Sequence, residues 1–174
     1  MPSNDREVLP DLLASRVKRS KNMAMDALDR DILALLQQEG RLTVTELAER
    51  VRLSISPCHR RLRALEASGT ITGYRAQLDP KAVGLGFESL VFVTMRQSDS
   101  ATLEQFEAGV AQVLNIVQAQ RLFGDPDFLL RVVSKDLEDF QRLYDAELAN
   151  LHGVQRLTST LVMKTVVDTR PLPI

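Results

Sequence analysis

Apolar residues recur at Leu28, Ile32, Leu35 and Leu36, a spacing of i, i+4, i+7 and i+8 that lines one face of a helix. Asp26 and Asp29 fall in its first turn, where acids meet the positive end of the helix dipole, and Gly40 stops it. A second helix opens at Thr43. Thr43 and Glu46 have capping-box spacing, and Val44, Leu47, Ala48 and Val51 supply a buried side. After a break at Arg52-Leu53, Ser54 is placed to cap a third helix. Pro57 falls in its first turn, where a missing amide hydrogen costs little, and Gly69 ends it. Two short helices joined by a few residues behind a first helix follow the helix-turn-helix plan.

From residue 76 the period changes. Residues 76–87 read as a linker strand and residues 88–96 as a strand. Residues 101–112 are helical in spacing, at Leu103, Phe106, Val110 and Val113. Residues 115–123 and 128–134 are strand-like and flank Gly124-Asp125-Pro126-Asp127, a turn-forming set. Residues 136–151 read as a helix and 154–167 as a last strand. The order β-α-β-β-α-β is the ferredoxin-like split unit, so the fold class expected is α+β. The domains expected are a helix-turn-helix domain over 25–75, the linker, a ferredoxin-like domain over 88–167 and a tail over 168–174. Residues 1–24 read as an appendage expected to be disordered, with Met23 or Met25 as alternative starts.

Alternation divides the strands. Leu90, Phe92 and Thr94 face one way and Val91, Val93 and Met95 the other. In the last strand Leu157, Ser159, Leu161 and Met163 oppose Thr158, Thr160 and Val162. Two helices cover only one face of such a sheet. The other stays substantially apolar, which predicts a second copy and hence a homodimer.

Composition narrows the chemistry. Of 174 residues, 44% are apolar and 26% charged, an ordinary globular balance. Cys58 is the single cysteine and His59 and His152 the only histidines, so no intrachain disulfide, cysteine zinc cluster or other metal site is expected. No apolar run is long enough to span a membrane and no secretory core opens the chain, so a cytoplasmic protein with no membrane partner is expected.

Charge is informative only once divided along the chain. The net charge is −1, yet residues 50–63 hold Arg50, Arg52, Arg60, Arg61 and Arg63 and no acid. With Cys58 on the core side of the third helix, Leu62 and Leu65 share its face. The opposite side shows Ser56, His59, Arg60 and Arg63. Arg61 falls at the flank, where it can pair with a glutamate. Such a stripe is the footprint of nucleic-acid binding: arginine neutralises phosphates and also bonds a guanine edge bidentately. The DNA-contacting set expected on double-stranded DNA is Arg52, Ser54, Ser56, His59, Arg60 and Arg63. Around the turn, backbone amides near Gly124 suit a carboxylate, and Asp125 or Asp127 an ammonium group.

Residues 28–79 (LDRDILALLQQEGRLTVTELAERVRLSISPCHRRLRALEASGTITGYRAQLD) resemble the N-terminal domain of the Lrp/AsnC family of feast/famine transcriptional regulators. Residues 88–167 resemble its ligand-responsive domain, with GDPDFLLRV at the turn and GVQRLTSTLVMK in the last strand. Many family members carry valine where this chain has Cys58. The resemblance implies a DNA-binding regulator answering to an amino acid, with dimers that often assemble into octamers. It also implies an effector site at Gly124, Asp125, Asp127, Thr158 and Thr160, and neither cofactor nor catalytic residues. Two alternatives share the architecture: a sirohaem-decarboxylase-like enzyme and a DNA-organising protein indifferent to ligands. The first would need basic or imidazole groups in the second domain, where His152 is the single histidine.

Overall fold

A computed structural model describes residues 25–174, so the expectations for residues 1–24 lie outside the described residues. The chain forms two compact units. One holds the described residues as far as Ala76 together with Thr169–Ile174, and the other is Gln77–Asp168.

The first unit is built on three helices, α1 (Ala27–Gln38), α2 (Val44–Arg50) and α3 (Ile55–Ala67). Two aspartates make the capping box of α1. Asp29 donates its amide to Asp26 Oδ1 at 2.9 Å, and Asp26 donates its amide to Asp29 Oδ2 at 3.4 Å. Thr43 and Glu46 close the equivalent box on α2. Ser54 takes the N-cap position of α3 but its side chain caps nothing. An N-cap oxygen usually accepts from the amide three residues on, and here that residue is Pro57, which has no N–H. Ile32, Leu47, Ala48, Cys58 and Leu65 form the core where the helices meet. Gly69 leaves α3 with φ 76, and Ile71 returns its amide to Leu65 O.

The second unit runs β1 (Phe87–Met95), α4 (Ser100–Val110), β2 (Ile116–Arg121), β3 (Phe128–Ser134), α5 (Leu137–Ala146) and β4 (Val154–Leu161). The strands are antiparallel in the order β2-β3-β1-β4, the ferredoxin-like arrangement. Asp99 and Asp136 accept amides of the first turns of α4 and α5. Val91, Val93 and Met95 are buried with Leu130, Val132 and helix residues such as Phe106 and Leu143. On the other face Phe92 pairs with Leu129 and Thr158, and Leu90 with Arg131 and Thr160. That row is apolar at Leu90, Phe92 and Leu129. Beside it Arg131 donates to both oxygens of Glu88, at 2.7 and 3.0 Å.

Three boundaries differ from the sequence reading. Residues 77–86 form no strand; a single 3₁₀ turn, Lys81–Val83, stands there. The second long helix ends at Ala146, and a 3₁₀ turn, Leu148–Asn150, drops Leu148 into the core. Asn150 Nδ2 donates to the Asp145 and Ala146 carbonyls and closes the step. The last strand stops at Leu161, which lies opposite Ser89 of β1. Val162 makes the final bond, to Glu88 O. Among the described residues no helix is long and apolar enough to cross a membrane.

Candidate functional site

In the first unit, the turn between α2 and α3 sets how α3 is presented. Arg52 passes through it with φ 55, a left-handed conformation that glycine adopts at less cost. Arg52 and Leu53 close the turn by donating to Glu49 O and Ala48 O. From that start α3 turns Cys58 and Leu65 inward, with Leu62 half-buried beside them, and leaves Ser56, His59, Arg60 and Arg63 exposed. Cys58 is fully buried. Burial pushes its thiol pKa up, so it stays a neutral core residue.

The five arginines of residues 50–63 divide into two kinds. Arg50 bonds both oxygens of Glu39, at 2.5 and 3.0 Å. Arg61 donates to Asp26 at 2.6 Å and to Asp29 at 2.8 Å, so its acids are the two α1 cap aspartates rather than a glutamate. Arg63 stands 3.5 Å from Glu66 one turn on. Arg52 and Arg60 have no acidic partner among the described residues. The charge available to a ligand is therefore concentrated at Arg52 and Arg60, with Arg63 loosely engaged. The paired arginines serve the scaffold. The Arg50 guanidinium holds the Glu39 carboxyl below the usual range, and the Asp29 amide, then Arg61, do the same for Asp26. Sequence reading missed the Arg50–Glu39 and Arg61–Asp26–Asp29 contacts. Their acids lie outside the arginine-rich stretch, so counting charge within it could not find them.

In the second unit, Gly124 has φ 132 and the Asp125–Pro126 peptide is cis. Leu122 donates to Asp127 O at 2.7 Å, and Asp127 donates its amide to Val93 O at 2.9 Å. The half-buried Asp127 carboxylate is partly committed: Oδ2 accepts the Met95 amide at 2.7 Å, and Ser98 Oγ reaches Oδ1 at 3.5 Å. Asp125 is exposed and has no partner among the described residues. Thr158 and Thr160 are exposed on the face of β4 opposite the helices. β1 lies between β3 and β4, which puts the threonines two strand spacings, roughly 10 Å, from the strand that follows the turn. The structure thus brings Gly124, Asp125 and Asp127 together and holds Thr158 and Thr160 apart from them within one chain. Among the described residues no cluster of histidine, cysteine and acids suits a metal ion.

Asp127→Ala is expected to lower the stability of this unit by about 1–3 kcal/mol, because a part-buried Met95 amide loses its acceptor. Asp127→Asn keeps an acceptor and should recover most of the loss. Thermal denaturation of the two variants checks this, and equal melting temperatures for Ala, Asn and wild type would remove the structural role.

Residues 88–172 match the family model of the Lrp/AsnC ligand binding domain, and residues 25–72 match a winged helix-turn-helix DNA-binding model. The chain is 38% identical to a leucine-responsive regulatory protein of Rhizobium meliloti (strain 1021), over 83% of this chain and 92% of that one. It is 33% identical to the DNA-binding transcriptional activator DecR of Escherichia coli (strain K12), over 86% and 99%. Among solved structures it is similar to a transcriptional regulator of Neisseria meningitidis in complex with L-methionine. The TM-score is 0.81 at 38% identity, covering 85% of this chain and 96% of that one.

Proposed function

Because this chain belongs to the Lrp/AsnC family of DNA-binding transcriptional regulators, we propose that it reads double-stranded DNA through α3 and answers to an amino acid bound in its second unit. The observation that carries the reading is the sorting of α3. One side is buried on the helical core, and the other presents Ser56, His59, Arg60 and Arg63 with Arg52 and Ser54 at its start. Ser54 keeps a hydroxyl that no helix amide uses, which suits it to a phosphate. The family is regulatory, and we assign this chain no catalytic step, no cofactor and a place in the cytoplasm.

The effector assigned is a free amino acid. Both of its charges find chemistry at the turn: amides around Gly124 for the carboxylate, and Asp125 with the remaining Asp127 oxygen for the ammonium. L-methionine in the Neisseria relative supports the ligand class. Thr158 and Thr160 lie too far across the sheet to join that set from the same chain. A second copy, covering Leu90, Phe92 and Leu129, would bring its own threonines or turn into reach. A homodimer also gives two α3 helices for two half-sites, and assembly of dimers into an octamer is compatible with it.

The test is reciprocal titration. Operator affinity is measured with and without millimolar L-methionine, and L-methionine affinity with and without saturating operator. Linkage requires the two factors to be equal. An operator affinity that none of the twenty amino acids alters would overturn the effector assignment. A chain that binds no DNA at low salt would overturn the α3 assignment.

A further inference from the structure

The last six residues, Thr169–Ile174, belong to the helix-turn-helix unit, although residues 162–168 attach them to β4 of the other unit. Their seating has two parts. Gln37, in the last turn of α1, reads the Leu172 peptide from both sides: Leu172 N donates to Gln37 Oε1 at 2.5 Å, and Gln37 Nε2 donates to Leu172 O at 3.3 Å. A carboxamide is suited to this, since it carries a donor and an acceptor side by side. Leu172 and Ile174 also line one apolar groove with Met25, Leu33, Leu36 and Ile71.

The tail's sequence fits such a site. Pro171 and Pro173 flank Leu172 and have no N–H, so Leu172 supplies the one amide of that tripeptide, and Gln37 takes it. The fixed φ of both prolines reduces the freedom the free tail loses on seating. The seating is shallow, with Leu172 70% and Ile174 46% exposed. A contact of few buried apolar groups opens readily, as a moving part must.

We propose that Thr169–Ile174 is a strap: the DNA-reading unit is held by a second chain connection, which runs from the end of β4 into the groove beside Gln37. β4 carries Thr158 and Thr160, so a ligand there has a seven-residue path, 162–168, to the reading unit. That regulatory role rests on the effector reading above; the strap's seating and its hold on the reading unit do not.

The experiment compares the full chain, a chain ending at Asp168, and the full-length Gln37→Ala variant, all first without ligand. Hydrogen exchange is read at residues 33–38 and 70–74, and affinity is read on operator DNA. Both altered chains are expected to exchange faster at those residues. Both should change operator affinity by at least about fivefold, the low end of ordinary coupling factors. Unchanged exchange in the truncated chain overturns the seating, and faster exchange with unchanged operator affinity overturns the strap. L-methionine is then added. In the full chain it shifts operator affinity, and in both altered chains the shift falls towards one while methionine binding by calorimetry persists. A full methionine shift without the tail overturns the regulatory role. A full chain that binds no methionine overturns the methionine reading alone, and the ligand-free measurements still decide the strap.

Discussion

Arg60→Ala lowers operator affinity by about 1–3 kcal/mol while leaving the melting temperature unchanged. The guanidinium is exposed on the α3 face opposite Cys58 and Leu65, with no acid holding it among the described residues. Removing it costs the fold no ion pair and leaves no buried group unsatisfied. The kind of loss identifies the contact. If Arg60 bonds a base edge, preference at one operator position relaxes. If it bonds a phosphate, affinity falls evenly across sequences and the salt slope drops by about one. Two neighbours serve as controls. Arg50→Ala removes a solvent-screened surface pair with Glu39 and should barely move either readout. Arg61→Ala strands Asp29, which is buried, so stability falls first. Wild-type operator affinity in Arg60→Ala and Arg52→Ala alike would mean that α3 does not read DNA.

Phe106→Ala is expected to destabilise the second unit by about 3–5 kcal/mol, a large share of the roughly 5–15 kcal/mol that holds a domain folded. The Phe106 ring is fully buried, with its centroid 4.5 Å from that of Phe128, and these two side chains join α4 to β3. Neither can fill the space the other leaves, so the loss includes a cavity as well as apolar transfer. Urea denaturation followed by circular dichroism measures the effect. Leu114→Ala, at a residue 91% exposed, is the matched control and should cost almost nothing. A cost below about 1 kcal/mol for Phe106→Ala would mean that the packing between α4 and the sheet collapses around the gap. On the homodimer proposed above, operator affinity should fall with the unit's stability, because two linked reading helices would depend on that assembly.

Local chemistry made much of this molecule legible from sequence. The period of 3.6 placed α1, α2 and α3, since a helix that buries one stripe must repeat its apolar residues at that spacing. Thr43 with Glu46 marked the start of α2 because a capping box lies within four residues. Alternation in β1 set Val91 and Val93 on one side and Leu90 and Phe92 on the other, as the pleat requires, and the structure put the helices on the Val91 side. The same wheel that sent Cys58 inward sent Arg60 and Arg63 outward. Ser54 marks where neighbours compete: it sits where a cap is needed, yet Pro57 removes the donor its side chain would have used.

What sequence determined by itself, then, was the order and type of the main helices and strands and which residues of each share a side. These depend on neighbours a few residues apart. Tertiary structure decided which arginines are free, since Glu39, Asp26 and Asp29 reach Arg50 and Arg61 from the two ends of α1, 11 to 35 residues away. It separated Thr158 and Thr160 from the turn at Gly124 by inserting β1 between β3 and β4. It ended β4 at Leu161, opposite Ser89, and returned Leu172 to Gln37, 135 residues earlier in the chain. A hydrogen-bond partner at that distance leaves no period in the sequence, because only the folded backbone brings the two groups within reach.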